Sequence, residues 1–161
     1  MSKIKELLND KESVLVFDVD GVLAIMEFGE NNHYILDDEE WNKANEEGHN
    51  FYTEEKVSKK IQNFLKKRSK NRIYVVTKAI TTNEFEFKKL YVNKYYGILK
   101  NNVYYVKNDC EKKDKMKLIK EKHKDLDDKK IIMIDDTATV LTDIMDNTNF
   151  STAHISSFLD I

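Results

Sequence analysis

Five short runs of apolar, β-branched and aromatic residues recur along the chain, and each is followed by a more polar stretch. They cover residues 14–17, 73–76, 103–106, 131–134 and 152–155. The first, second and fourth runs are continuously apolar, which is typical of strands covered on both faces. The pattern therefore predicts five strands. It also predicts that the first, second and fourth strands are buried on both faces.

Apolar residues between the first and second runs recur at helical spacing. Four of them fall at positions i, i+4, i+7 and i+8 and so form one stripe of a helix: Val57, Ile61, Phe64 and Leu65. This stripe predicts a helix from about residue 54 to 69, with Thr53 as its N-cap. A hairpin over about 23–36 and an irregular segment that carries Trp41 are expected before it.

Three further helices are predicted after the second, third and fourth runs. The first covers residues 82–96 and ends at Gly97, which is suited to a left-handed conformation. The next, over about 114–124, has few apolar residues and is expected at the surface. The last begins near Thr137 and is expected to bury four side chains: Val140, Leu141, Ile144 and Met145.

The alternation of strands and helices defines the expected fold class. Strand, helix and strand in succession imply right-handed crossovers and parallel pairing. We therefore expect an α/β fold with a doubly wound, Rossmann-like parallel sheet of about five strands and helices on both faces. The chain has 161 residues, the size of one ordinary domain. We expect a single domain over residues 1–161, with a short insertion at about 23–71.

Composition limits the possible location and partners. No apolar run approaches the roughly 20 residues needed to span a membrane, and the amino terminus has no secretory signal. The single cysteine, Cys110, cannot form an internal disulfide. We expect a cytoplasmic protein with no membrane-spanning helix, and the sequence leaves its oligomeric state open.

Acidic residues are concentrated in the predicted insertion. The net charge of the chain is only −2, but ten acidic residues and one lysine lie between Glu27 and Glu55. Such a run is typical of a solvated surface, and it would repel a long polyanion. The charge pattern therefore argues mildly against a nucleic-acid substrate without excluding one.

Carboxylates follow two of the predicted strands. Asp18 and Asp20 come after the first strand, Thr77 ends the second, and Asp135 and Asp136 follow the fourth. The carboxyl ends of parallel strands meet at one edge of the sheet, where ligands bind in such folds. Carboxylates gathered there are mutually repulsive unless a cation lies among them. Mg²⁺ prefers carboxylate, carbonyl and water oxygens, so the sequence predicts a magnesium site.

The spacing of the first two carboxylates suggests separate chemical roles. Gly21 allows the chain to turn sharply after Asp20, so that Asp18 and Asp20 can approach one reacting atom from different directions. One carboxylate can then attack phosphorus while the other donates a proton to the leaving oxygen. This arrangement favours phosphoryl-transfer chemistry.

Four ordered motifs resemble those of the haloacid dehalogenase superfamily of phosphohydrolases. They are Phe17-Asp18-Val19-Asp20-Gly21-Val22, Thr77, a lysine near 113–115, and Ile134-Asp135-Asp136. The resemblance extends from about residue 14 to the fifth strand and so covers nearly the whole chain. It implies a Mg²⁺-dependent hydrolase that acts on phosphomonoesters; the sequence leaves nucleotide monophosphates, sugar phosphates and nucleic-acid ends open as substrates. The fourth motif is similar to the paired-aspartate variant of nucleotidase-like and polynucleotide-phosphatase-like members.

The resemblance also implies a role for each motif residue. Asp18 would be the nucleophile that forms an aspartyl-phosphate, and Asp20 the general acid and base, with its backbone carbonyl on Mg²⁺. Thr77 would hydrogen-bond the transferring phosphoryl group. Asp18 would also contact the metal ion. Asp135 and Asp136 would complete the metal site, and the sequence leaves open which of the two is the direct ligand.

The lysine that would neutralise the phosphoryl group is ambiguous in sequence. Four lysines crowd this region: Lys112, Lys113, Lys115 and Lys117. Lys115 precedes the apolar pair Leu118 and Ile119 by three and four residues, so we prefer it, with Lys113 next.

The insertion is short compared with the cap domains of larger members of this superfamily. Its aromatic and polar residues are candidates for a specificity pocket: Phe28, His33, Tyr34, Trp41 and Tyr52. Trp41 is either a packing residue or a platform for substrate, and the sequence does not choose between the two.

Two other functions remain possible on the same predicted fold. A signalling receiver module also carries a phosphorylated aspartate, a threonine and a lysine, but its accepting aspartate lies on a later strand. A catalytically weak protein that binds phosphate for regulation would keep the same residues. Assays of phosphomonoester hydrolysis with and without Mg²⁺ distinguish these from an enzyme.

Overall fold

The computed structural model describes residues 3–25 and 38–158. Its strands are β1 (Val14–Phe17), β2 (Ile73–Lys78), β3 (Val103–Val106), β4 (Ile131–Asp135) and β5 (Ser151–His154). Its α-helices are α1 (Lys3–Asn9), α2 (Asp38–Glu46), α3 (Lys59–Leu65), α4 (Thr82–Tyr96), α5 (Lys112–Lys122) and α6 (Ala138–Asn147). Among the described helices, none is long and apolar enough to cross a membrane.

The five strands form one parallel sheet in the order β3-β2-β1-β4-β5. Phe17 of β1 pairs with Val75 of β2 on one side and with Ile134 of β4 on the other. The chain adds β2 and β3 to one side of β1 and then crosses to place β4 on its other side, so the strand order reverses between β1 and β4. The α/β, doubly wound fold is confirmed, and this reversal is where such folds bind ligands.

Both faces of the sheet are buried. Alternate residues of a strand point to opposite faces, so Leu15 and Phe17 belong to one core while Val14 and Val16 belong to the other. Residues of α1, α3 and α4 complete the first core, and residues of α5 and α6 complete the second. The continuously apolar runs of β1 and β4 follow from this burial on both sides.

Helix α4 begins and ends as the sequence predicts. Its N-cap, Thr81, accepts a hydrogen bond at Oγ1 from the backbone N–H of Glu84 (3.1 Å). Gly97 ends it with φ +67°, in the left-handed region that glycine adopts at low cost. The observed bounds match the predicted ones, and Gly97 is the stop that the sequence indicates.

The predicted start of the preceding helix is wrong. Instead of one helix from about residue 54, the chain forms a short 3-10 turn at Glu54–Lys56 and then α3, whose N-cap is Ser58 rather than Thr53. Val57 between them is extended because it forms an antiparallel bridge with Ala24. A tertiary contact therefore interrupts the helical stripe that the sequence suggests.

Three further expectations can be compared with the described residues. Trp41 lies in α2 rather than in an irregular segment. Met145 is 53 % exposed, because α6 buries Val140, Leu141 and Ile144 and the next position points about 100° away from that face. Most of the predicted hairpin, residues 26–36, lies outside the described part of the chain.

Candidate functional site

The two aspartates at the sheet edge are adjacent because their strands are neighbours. Asp18 directly follows β1, and its backbone N–H donates to the carbonyl oxygen of Ile134 in β4 (3.0 Å). Asp135 is the last residue of β4 and is fully buried, while Asp18 is 7 % exposed. Carboxylate oxygens of Asp18, Asp135 and Asp136 all lie within 4.8 Å of one another.

Gly21 allows the turn after β1 to pack against this cluster. Its φ is +69°, a conformation that side-chain-bearing residues rarely adopt. A Cβ atom at this position would lie 2.0 Å from Oδ2 of Asp136. Glycine is therefore needed both for the backbone conformation and for the position of the Asp136 carboxylate.

Lys112 is the cation that the structure places among these carboxylates. Its Nζ donates to Oδ2 of Asp135 at 2.8 Å, and lies 3.3 Å from Oδ2 of Asp18 and 3.2 Å from Oδ1 of Asp109. Burial disfavours the charged form of the Lys112 ammonium, but the neighbouring carboxylates outweigh it and raise its pKa. Lys112 is thus held as a buried cation between two strand ends.

The lysines that the sequence analysis preferred lie elsewhere. Lys113 forms an ion pair with Asp143 on α6, with 2.9 Å from its Nζ to Oδ1. Lys115 lines a separate cavity with Tyr105 and Glu111. Neither of them is among the residues that line the cavity over Asp18.

The register of α5 explains this difference. The helix begins at Lys112, two residues before the expected start, and it buries Lys112, Met116 and Ile119 at positions i, i+4 and i+7. Leu118, which supported the choice of Lys115, is 45 % exposed. The stripe of Met116 and Ile119 is the signal in the sequence that could have identified Lys112.

Burial controls the proton affinity of the two inner carboxylates. Burial raises the pKa of Asp18, and the Lys112 charge only partly opposes this rise. Burial, followed by the charge of Asp18, raises the pKa of Asp135 to about 6, although Lys112 and the Thr137 N–H favour its ionised form. The two carboxylates are therefore poorly compensated by protein groups alone.

The donor set fits a hard divalent cation. Oδ1 of Asp18 is buried and has no hydrogen-bond partner among the described residues, which is costly for a carboxylate oxygen. Asp18, Asp135 and Asp136 supply three negative charges within 4.8 Å, and Lys112 returns only one positive charge. Carboxylate oxygens are the ligands that Mg²⁺ prefers, and one of those offered here, Oδ1 of Asp18, has no other described partner.

The Asp20 side chain pairs with Tyr52 and with Lys88 of α4, and it is not one of the three clustered carboxylates. Its Oδ1 accepts a hydrogen bond from the Tyr52 hydroxyl (3.0 Å), and its Oδ2 lies 2.7 Å from Nζ of Lys88. Sequence reasoning missed Lys88, because its partner is 68 positions away in the chain. The only local signal is the i,i+4 pairing of Lys88 with Glu84 on α4.

Thr77 lies in β2, the other neighbour of β1, and is fully buried. Its hydroxyl donates to the backbone carbonyl oxygen of Lys78 (3.5 Å), and its proximity to Asp18 partly opposes the rise in the pKa of that carboxyl. The structure therefore brings together Asp18, Thr77 and Asp135 from three adjacent strands.

A cavity of about 460 Å³ opens over the cluster, a volume suited to a small molecule. Asp18, Asp20 and Asp136 line it, together with the cations Lys78 and Lys112. Trp41 does not line this cavity; it stacks on Phe51 at 4.0 Å between ring centroids. Of the other candidates for the pocket, Phe28, His33 and Tyr34 lie outside the described residues.

A scan against protein-family models and a search of the curated proteins found no match to this sequence. The order of the motifs and the geometry of the site are therefore the basis for any functional interpretation. Both concern the same small group of side chains at the carboxyl edge of the sheet.

Replacing Lys112 is expected to destabilise the protein far more than replacing Lys115. Lys112→Met leaves the buried carboxylates of Asp18 and Asp135 without their cation, and the loss of one partner of a buried ion pair costs about 3 kcal/mol or more. Lys115→Met should change the free energy of unfolding by less than about 0.5 kcal/mol. Urea denaturation at pH 7 with a metal chelator measures both; equal stabilities would contradict the assigned position of Lys112.

Replacing Gly21 is expected to weaken Mg²⁺ binding. Gly21→Ala would push the Asp136 carboxylate out of the cluster, so we expect Mg²⁺ affinity to fall by about tenfold or more. Gly48→Ala is the matched control, because Gly48 also has a positive φ (+84°) but has nothing within 4 Å of the added Cβ. Both variants should lose about 1 kcal/mol from backbone strain. Calorimetric titration with Mg²⁺ separates them, and equal affinities would contradict the prediction.

Proposed function

We propose that this protein is a Mg²⁺-dependent phosphomonoester hydrolase of the haloacid dehalogenase type that acts on small phosphorylated molecules. The observation that carries the proposal is the Asp18 carboxylate. It lines a cavity, has a buried oxygen without a described hydrogen-bond partner, and lies beside Lys112 and the carboxylates of Asp135 and Asp136. A carboxylate in this setting is suited to accept a phosphoryl group.

The reaction would proceed in two steps. In the first, a carboxylate oxygen of Asp18 forms a bond to phosphorus, the ester P–O bond breaks, and Asp20 gives its proton to the leaving oxygen. In the second, water loses a proton to Asp20 and attacks phosphorus, and the bond between phosphorus and Asp18 breaks. Inorganic phosphate leaves, and both aspartates return to their starting states.

Positive charge around the phosphoryl oxygens would supply most of the rate acceleration by stabilising the transition state. Asp18, Asp135 and Asp136 would hold Mg²⁺, together with the Asp20 backbone carbonyl that the family resemblance implies. Mg²⁺ when bound would act as a Lewis acid on the phosphoryl oxygens and offset the negative charge of the site. Lys112 lies 3.3 Å from Asp18 and would neutralise the nucleophile and the transferring group, while Thr77 would donate a hydrogen bond to that group.

The strand order favours a hydrolase over a signalling receiver. Receivers have the flavodoxin-like order 2-1-3-4-5, in which the accepting aspartate follows a later strand. Here the order is 3-2-1-4-5, and the aspartate proposed to accept the phosphoryl group follows β1 at the centre of the sheet.

Charge and cavity size support a small substrate. The cavity of about 460 Å³ is large enough to hold a phosphorylated metabolite or a mononucleotide. The acidic stretch between Glu27 and Glu55 would repel a polyanion. A nucleotidase-like activity is consistent with the paired aspartates of the fourth motif.

Asp18→Asn is expected to abolish phosphomonoester hydrolysis. The amide has nearly the shape of the carboxylate but lacks the nucleophilic oxygen anion, so kcat should fall by at least about a thousandfold. The measurement is phosphate release from a panel of phosphomonoesters with Mg²⁺ and with a chelator, and the chelator should remove the activity of the unmodified protein.

Asp143→Asn is the matched control for this experiment. Asp143 pairs with Lys113 and does not line the cavity over Asp18, so its replacement should leave turnover within about twofold. Undiminished turnover by Asp18→Asn would refute the mechanism. A wild-type protein that binds phosphate with Mg²⁺ but releases none from any ester would instead support a regulatory, catalytically weak module.

A further inference from the structure

A buried lysine outside the four motifs contacts the acid of the proposed reaction. Lys88 lies on α4 with a side chain only 1 % exposed. Its Nζ lies 2.7 Å from Oδ2 of Asp20 and 2.7 Å from Oε1 of Glu84, and it also donates to the backbone carbonyl of Lys78. An ammonium group has three N–H donors, so these contacts use all of them and hold Nζ in one place.

Glu84, the second partner of Lys88, is held as firmly. Its Oε2 accepts from the backbone N–H of Ile80 (2.9 Å), and its own N–H donates to the Thr81 hydroxyl at the start of α4. Its Oε1 also accepts from Nε1 of Trp41 (3.4 Å) on α2. Lys88 is therefore anchored to the beginning of a well-formed helix.

Both oxygens of Asp20 are occupied by donors. Lys88 contacts Oδ2, and the hydroxyl of Tyr52, a residue that is 3 % exposed, donates to Oδ1 (3.0 Å). Two donors from different elements hold the plane of the carboxylate, although the Asp20 side chain itself is 36 % exposed. A half-exposed aspartate held in this way has lost most of its rotational freedom.

A purely structural ion pair would not need Asp20. The charge of Lys88 is already balanced by Glu84, four residues earlier on the same helix and 5 % exposed. The contact with Asp20 adds a second carboxylate to a buried cation that Glu84 already balances. Its main effect is to fix the orientation of the Asp20 carboxylate.

We propose that Lys88, assisted by Tyr52, is a positioning residue that holds Asp20 in the orientation for proton transfer to the leaving oxygen. The inference rests on the proposed hydrolase function and goes beyond the residues that the family motifs supply. Neither side chain needs to touch the phosphoryl group to act in this way.

The consequence is a dependence on the leaving group. An alkyl phosphate releases a basic alkoxide and so needs the proton from Asp20, whereas p-nitrophenyl phosphate releases a stable phenolate and needs it far less. Displacing Asp20 should therefore slow the first step, phosphoryl transfer to Asp18, selectively for alkyl esters. A general loss of folding or of Mg²⁺ would slow both classes equally.

The experiment compares kcat/KM for β-glycerophosphate and p-nitrophenyl phosphate in Lys88→Met and Tyr52→Phe, because kcat/KM reports phosphoryl transfer to Asp18 and excludes the later hydrolysis step in which Asp20 acts as base. We expect Lys88→Met to lower kcat/KM about 100-fold on the alkyl ester and less than about threefold on the aryl ester. Tyr52→Phe should change the ratio in the same direction by about fivefold. Lys89→Met is the matched control, because Lys89 is the next residue of α4 and pairs with Glu86 away from the site; its ratio should equal that of the unmodified protein.

Each outcome decides the inference. Since Lys88→Met leaves Glu84 without its cation, the double variant Lys88→Met/Glu84→Gln and the milder Tyr52→Phe keep the test valid if the single variant does not fold. If the wild-type protein is active and the folded variants lose activity equally on both esters, the positioning role of Lys88 is overturned while the proposed hydrolase function stands. No hydrolysis of either ester by the wild-type protein would overturn the proposed function, and this inference with it.

Discussion

The contact between Lys112 and the carboxylates of Asp18 and Asp135 is the interaction on which the site depends. Parallel pairing of β1 with β4 forces these two carboxylates together at a buried edge, where their repulsion is poorly screened. One ammonium, 2.8 Å from Asp135 and 3.3 Å from Asp18, offsets part of that repulsion. Because Asp136 adds a third carboxylate, protein groups leave a negative excess that suits a dication.

Much of the fold could be predicted from local sequence because its signals are local. The three strands β1, β2 and β4 are buried on both faces, so their apolar runs are uninterrupted, and Gly97 marks the end of α4. The start of α3 could not be predicted in the same way. There the bridge between Val57 and Ala24 holds the backbone extended, and that contact joins positions 33 residues apart.

The aspartates of the site could be predicted for a related reason: a residue that follows a buried strand must lie at the sheet edge. The lysines are harder, since a side chain on a helix reaches the site only if the register is right. Helix α5 buries Met116 with Ile119 and leaves Leu118 exposed, so the buried lysine is Lys112 rather than Lys115. Lys88 could not be found from spacing at all, because its contact with Asp20 depends on how α4 packs beside β1.

The insertion is joined to the site through the same contacts that orient Asp20. Tyr52 donates to Asp20, and Trp41 reaches Glu84, which holds Lys88. A group held by donors from separate elements is preorganised, so little reorganisation would be needed in the proposed proton transfer. The segment around Trp41 and Tyr52 would therefore influence the rate of proton transfer even where it does not touch the substrate. A change of sequence there that altered specificity would also be expected to alter the dependence on the leaving group.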